Sequence, residues 1–256
     1  MSLTRLVLRF AAPIPDLLSF ERYLFIGPHP DDIEIGAGAT AARLAAMGKK
    51  VTFLICTDGR FGLDNAPEGT KPPELIGIRR KEALASAKLL GAEAVRFLNF
   101  PDGGGYDPDL LLRQLAWEVG RLKPQVIFAP DPSPSSECHP DHLRAGEAAR
   151  QLAFSSPNQE LMACYGADSA QVEAIAFYMT ARPNRFVRCA GYMKKQAEAI
   201  ACHRSQFPSG CKAEKDLRLY LRLRAADFGL RSFSGQAEGF RVLGRTHMHC
   251  LPEAGR

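Results

Sequence analysis

None of the seven cysteines in this 256-residue chain (56, 138, 164, 189, 202, 211 and 250) stands in a C-x-x-C pair. An odd, dispersed set of thiols argues against a disulfide framework and against a thiolate zinc site, and fits free thiols in a reducing cytoplasm. No window reaches the ~18 apolar residues of a membrane span. The start, MSLTRLVLRFAAPIPDLLSF, is broken by Arg9, Pro13 and Pro15, whereas a signal peptide needs ~7–15 uninterrupted apolar residues; secretion is not expected. With a single Trp and no Lys/Arg run longer than three residues, nucleic acid is not an expected partner. Histidine is scarce as well, at six residues, so where those six fall carries weight.

What is present is a core: 46% of residues are hydrophobic, enough for one sizeable α/β domain. Apolar runs alternate with helical patterns. RYLFIG (22–27), KVTFLICT (50–57), AVRFLNF (94–100), PQVIFAPD (124–131) and VEAIAFYMT (172–180) read as strands, and helices are expected over 33–48, 73–91, 110–122 and 139–154. Asp107 followed by Pro108 is a cap and first-turn pair for the third of these. Continuously apolar strands in βα alternation predict a Rossmann-like, open, mostly parallel sheet flanked by helices. After residue 190 the pattern loosens into a helix at 192–203, a charged helix around 212–226 and a Gly-rich tail. The organisation expected is a single domain: an N-terminal extension (1–20), then residues 21–256, with a core over 22–205 and a C-terminal extension over 206–256. Net charge is +5, with 15 Lys/Arg against 6 Asp/Glu in residues 181–256, which reads as a solvated basic face.

In open sheets of this kind ligands bind outside the carboxyl ends of the strands. That rule brings four loops together: PHPDD after the first strand, TDG (57–59) after the second, PDGGG (101–105) after the third, and the polar loop ending in HPDH after the fourth. His29, His139 and His142, half of all the histidines, fall in two of these loops. A catalytic zinc site takes three protein ligands and leaves a position open, so a two-histidine, one-carboxylate site from His29, Asp32 and His142 is expected, with Asp31 near the reacting water. Gly36 and Gly38 resemble part of a dinucleotide fingerprint, but the third glycine is missing and two carboxylates would repel a pyrophosphate; close packing of the first helix on the sheet is the better reading.

PHPDDIEIGAGAT, TDG, R-x-x-E at Arg79 and Glu82, LNFPDGG, HPDH, and H-x-S-Q at His203 to Gln206 together resemble the LmbE-like/PIG-L family of metal-dependent N-deacetylases, over roughly residues 22–205. The resemblance implies zinc, or another divalent ion such as Fe²⁺, held by His29, Asp32 and His142. It implies Asp31 as general base, His139 polarising the substrate carbonyl or protonating the leaving amine, and Asp102 orienting that histidine. It also implies an N-acylated amino sugar as substrate, with a homo-oligomer as an open possibility. The sequence departs from the family pattern at its first ~20 residues, at Glu137 and in its tail.

Arg79, Arg60 and His203 are weaker candidates for substrate contact. Glu34 pairs within the motif or favours a helix N-terminus, His247 and His249 read as structural, and loop 61–75 reads as a lid or an exposed tether. Two other functions stay open: a non-catalytic ligand-binding module on the same fold, and a metal-dependent phosphoester hydrolase, which a dinuclear, carboxylate-rich site would serve better.

Overall fold

The computed structural model describes residues 7, 8, 10–249 and 251; expectations for the remaining terminal residues and Arg9 lie outside the described residues. Seven strands form a sheet in the order β3-β2-β1-β4-β5-β7-β6. They are β1 (Arg22–Gly27), β2 (Lys50–Thr57), β3 (Ala94–Phe100), β4 (Val126–Pro130), β5 (Ala174–Tyr178), β6 (Arg185–Arg188) and β7 (Ala237–Gly244). The first five pair in parallel. The helices are α1 (Asp32–Ala46), α2 (Pro72–Leu90), α3 (Pro108–Leu122), α4 (Pro140–Ser155), α5 (Gln159–Cys164), α6 (Met193–Ile200) and α7 (Lys212–Arg231). No helix among the described residues is long and apolar enough to cross a membrane.

The strands are continuously apolar because both faces are covered. On one face Phe25, Phe53 and Phe128 pack with Ile33 and Leu44 of α1 and Leu90 of α2. On the other, Leu24, Ile26 and Ile127 pack with Leu111 and Leu115 of α3 and Leu152 of α4. The strand order reverses between β1 and β4, so the carboxyl ends of these neighbours open a crevice. The loops entering it carry HPDD and HPDH.

The sequence reading missed two short elements, α5 and β6, and read the tail as irregular. The tail is strand β7, antiparallel to both β5 and β6. Its glycines suggest a loop, but a Cβ on Gly239 would lie 2.9 Å from the Phe228 ring; this glycine serves a close approach within a strand.

Helix α1 is broken at Ala37, whose φ/ψ of −151°/16° is not helical. A break frees backbone groups that burial would leave unpaired. Here the N–H groups of Ala39 and Thr40 donate to the Glu238 carboxylate of β7 at 3.1 and 2.7 Å, and Gln196 of α6 donates to the Glu34 carbonyl and to Glu238 at 2.9 and 3.0 Å. Gly36 lets α1 meet β5 closely, since a Cβ there would be 2.2 Å from the Tyr178 ring. The Tyr178 hydroxyl in turn donates to the Ile26 carbonyl of β1 at 2.7 Å.

Candidate active site

The crevice is built around His29. Its ring is buried, and Nδ1 lies 3.1 Å from Asp32 Oδ2. Nε2 lies 3.1 Å from both Asp102 Oδ1 and Asp141 Oδ2. Two carboxylates on one nitrogen keep a proton on Nε2, so Nδ1, on the Asp32 side, is the nitrogen that offers a lone pair whenever the ring is neutral. His142 repeats the arrangement: Nδ1 meets Glu137 Oε2 at 3.0 Å while Nε2 lies 3.3 Å from Asp32 Oδ2. One oxygen of Asp32 therefore sits between two imidazole nitrogens whose opposite sides are braced by carboxylates. His29, Asp32 and His142 offer ligand atoms within 4.8 Å of one another, as does a second set of His29, Asp102, His139 and Asp141.

Asp31 starts α1 at φ 134°, a left-handed backbone conformation that strains any residue with a side chain and clusters at functional sites. Its Oδ2 accepts from Arg79 at 3.1 Å, so the adjacent aspartates turn to different partners. Burial pushes the Asp31 carboxyl up to about 6, aided by the Asp32 charge and opposed by Arg79. Burial would also raise Asp32, but His142 and His29 overrule it and hold that carboxyl well below its usual range. Burial would lower both histidines; instead Asp102, Asp141 and Asp32 raise His29, and Asp32 raises His142 to about 9. A site that forces protons onto its histidines is short of positive charge, which a divalent ion on the same atoms would supply.

His139 caps α4, its Nδ1 accepting from the Asp141 N–H at 3.3 Å, and its ring edge meets His29 with centroids 4.6 Å apart. Burial and the neighbouring His29 and His142 lower its pKa. Because Nδ1 accepts from the Asp141 N–H, the neutral ring carries its proton on Nε2. Asp102 does not orient it as expected. Its two oxygens go to His29 and to the Phe61 N–H at 3.2 Å, and the acid against His139 is Asp141, 3.8 Å from Nδ1. Asp141, fully buried and anchored by the Gly103 N–H at 2.8 Å, was missed because an aspartate in a first helical turn reads as a helix-end charge.

Of the weaker candidates, Arg79 and His203 are buried beneath the cleft and Arg60 is partly exposed. Arg79 is buried under Asp31, donating to the Pro30 and Gly59 carbonyls at 2.8 and 3.0 Å. Arg60 pairs with Asp58 at 3.0 Å. His203 has no exposed surface, and its Nε2 lies 3.3 Å from Glu34, which also receives the Ser86 hydroxyl. Burial would lower His203, but Glu34 raises it. The R-x-x-E and H-x-S-Q motifs hold each other: Glu82 accepts from Ser205 N and Oγ at 2.8 and 2.6 Å, and Gln206 donates to the Gly62 carbonyl at 2.8 Å. His247 is structural, its Nδ1 accepting from Gly244 N at 3.0 Å, and His249 stacks on Phe154 with centroids 5.8 Å apart.

The family profile described as PIG-L, GlcNAc-PI de-N-acetylase, matches residues 24–153, the span holding both histidine loops. The chain belongs to the PIG-L family. Among PIG-L relatives, diacetylchitobiose deacetylase of Thermococcus kodakarensis is 31% identical over 98% of this chain and 93% of its own length. The solved N,N'-diacetylchitobiose deacetylase of Pyrococcus horikoshii superposes with a TM-score of 0.82 at 30% identity, covering 98% of this chain and 97% of that one. A 1D-myo-inositol 2-acetamido-2-deoxy-alpha-D-glucopyranoside deacetylase of Kineococcus radiotolerans is 32% identical over 70% of this chain, which spans only 56% of that protein's length.

Proposed function

We propose that this protein is a zinc-dependent hydrolase that removes the acetyl group from the nitrogen of an N-acetylglucosaminyl glycoside or a related N-acyl amino sugar. Zinc would be held by His29 Nδ1, Asp32 Oδ2 and His142 Nε2; Fe²⁺ suits the same donors. The observation that carries the reading is the parting of the two adjacent aspartates, one between the histidine nitrogens and one turned to Arg79. A divalent ion bound there supplies Lewis-acid activation of water and of the amide carbonyl.

The other steps fall to the chain. Asp31 accepts a proton from the attacking water on Oδ1, Oδ2 being fixed by Arg79. The water oxygen bonds to the carbonyl carbon, and the Nε2–H of His139 donates to the carbonyl oxygen as charge collects there. The nitrogen takes the proton from Asp31 as the C–N bond breaks, and the carboxylic acid so formed passes its own proton to the amine, giving a carboxylate and an ammonium. Asp102 and Asp141 hold the His29 ring, as outer carboxylates commonly do for metal-bound imidazoles. The free thiols support a cytoplasmic setting.

The test is acetate release from a panel of N-acetylglucosamine glycosides, with metal content measured on the same sample. Acetate should appear with about one ion per chain; metal-loaded protein that releases none from any member of the panel overturns the proposal. Glu137 gives a finer expectation. Its carboxylate joins His142 Nδ1 to the His139 N–H, the latter at 2.9 Å. Glu137→Gln should weaken zinc affinity by the ~10–100-fold typical of lost outer partners, measured by competition with a chromophoric chelator. Unchanged affinity removes Glu137 from the metal's support.

A further inference from the structure

The loop after β2 puts an aromatic ring at the mouth of the crevice. Phe61 is 59% exposed, and its N–H donates to Asp102 at 3.2 Å. Asp102 also offers an oxygen within 4.8 Å of a His139 nitrogen. Phe61 therefore lies on the side of the His29 ring where, in the reaction above, His139 meets the carbonyl oxygen. The backbone on either side is fixed. Gly59 O accepts from Arg79 at 3.0 Å and from Gly62 N at 3.2 Å, and Gly62 O accepts from Gln206 at 2.8 Å. The ring edge rests on Gly103, where a Cβ would lie 3.5 Å from Phe61 Cδ2, and Gly103, Gly104 and Gly105 bring no side chain to cover it.

Single exposed apolar side chains are ordinary; what sets Phe61 apart is an open ring face at a fixed place. Trp117, Phe154 and Tyr220 are exposed too, but Arg121 lies over Trp117 at 5.0 Å, His249 stacks on Phe154, and Arg224 lies over Tyr220 at 5.9 Å. Among the described residues no cation or ring is stacked on Phe61, and Arg60, its neighbour in sequence, is drawn to Asp58 instead. An aromatic face is electron-rich. A pyranose of gluco configuration holds its hydroxyls equatorial and presents C–H groups on its flat faces, which complement such a ring. An open-chain N-acyl amine has no such face.

We propose that Phe61 is a specificity-determining residue, the platform on which a pyranose ring of the substrate stacks while its acetamido group reaches the centre formed by His29, Asp32 and His142; the inference rests on the amino-sugar reading above. The test separates binding from turnover by titration calorimetry of the N-acetylglucosamine glycosides into metal-loaded Asp31→Asn protein. Adding Phe61→Leu keeps an apolar side chain but removes the aromatic face, and should raise Kd at least ~10-fold, the scale of a stacking contact. Phe61→Tyr and Phe61→Trp keep the face and should stay within about threefold. With Asp31 intact, Phe61→Leu should raise KM by the same factor while kcat and metal content hold, because the N–H that Asp102 accepts belongs to the backbone. N-acetylglucosaminitol, the open-chain alditol, should bind the Asp31→Asn protein at least ~10-fold more weakly than the glycosides. A Phe61→Leu protein that binds as tightly as its parent overturns the proposal. So does a loss confined to kcat or metal content, an alditol that binds as tightly as the glycosides, or a parent that binds none of them. Glycoside binding that depends on Phe61 with no acetate released by the wild type would instead overturn the hydrolase reading and leave the platform standing.

Discussion

Asp31→Asn is expected to leave the metal in place and lower turnover by ~10²–10⁴-fold, the range for a lost general base. Asparagine is the informative replacement because it matches aspartate in size and shares its tolerance of positive φ, so the strained start of α1 at φ 134° survives. The amide can still accept from Arg79 but cannot take a proton from water. A pH profile separates this from a structural effect. Burial holds Asp31 at about 6, and a cation beside it favours the charged form and moves the value down. The working base is the deprotonated carboxylate, so kcat/KM should fall as pH drops through an acid limb at or below about pH 6, and Asp31→Asn should lack that limb. An Asp31→Asn protein that retains wild-type turnover removes Asp31 as the base.

Asp32→Asn is expected to do the reverse, lowering metal content from about one ion per chain toward none after dialysis, with activity lost and then partly recovered in excess zinc. Asp32 Oδ2 is the oxygen that both His29 and His142 approach, at 3.1 and 3.3 Å, and a neutral amide there removes the charge that balances a dication. The comparison with Asp102→Asn decides between the two sets of candidate ligands that share His29. Asp102 braces the far nitrogen, so that variant should weaken metal binding and not abolish it. Should Asp102→Asn empty the site while Asp32→Asn keeps both metal and rate, the ion sits on the other side of the His29 ring.

The sheet and the meeting of HPDD with HPDH were legible in the sequence because both follow local rules: apolar runs mark buried strands, and parallel strands deliver their following loops to one edge. The roles of Asp141, Arg79 and His203 were not. Each is a charged residue in a recognisable motif, and the sequence does not record whether such a residue faces the cleft or is buried beneath it. Asp141 reaches His29 across 112 positions of sequence. Strand β7 was hidden for a similar reason, since its partners β5 and β6 lie far upstream.

The break in α1 also orders events during synthesis. The HPDD loop leaves the ribosome early, yet the carboxylate that caps the second half of its helix is Glu238, roughly 200 residues later. At about 5–20 residues per second, some 10–40 s separate the two. For that interval the freed backbone donors of α1 have only water to satisfy them. The strand made almost last thus completes a helix made almost first.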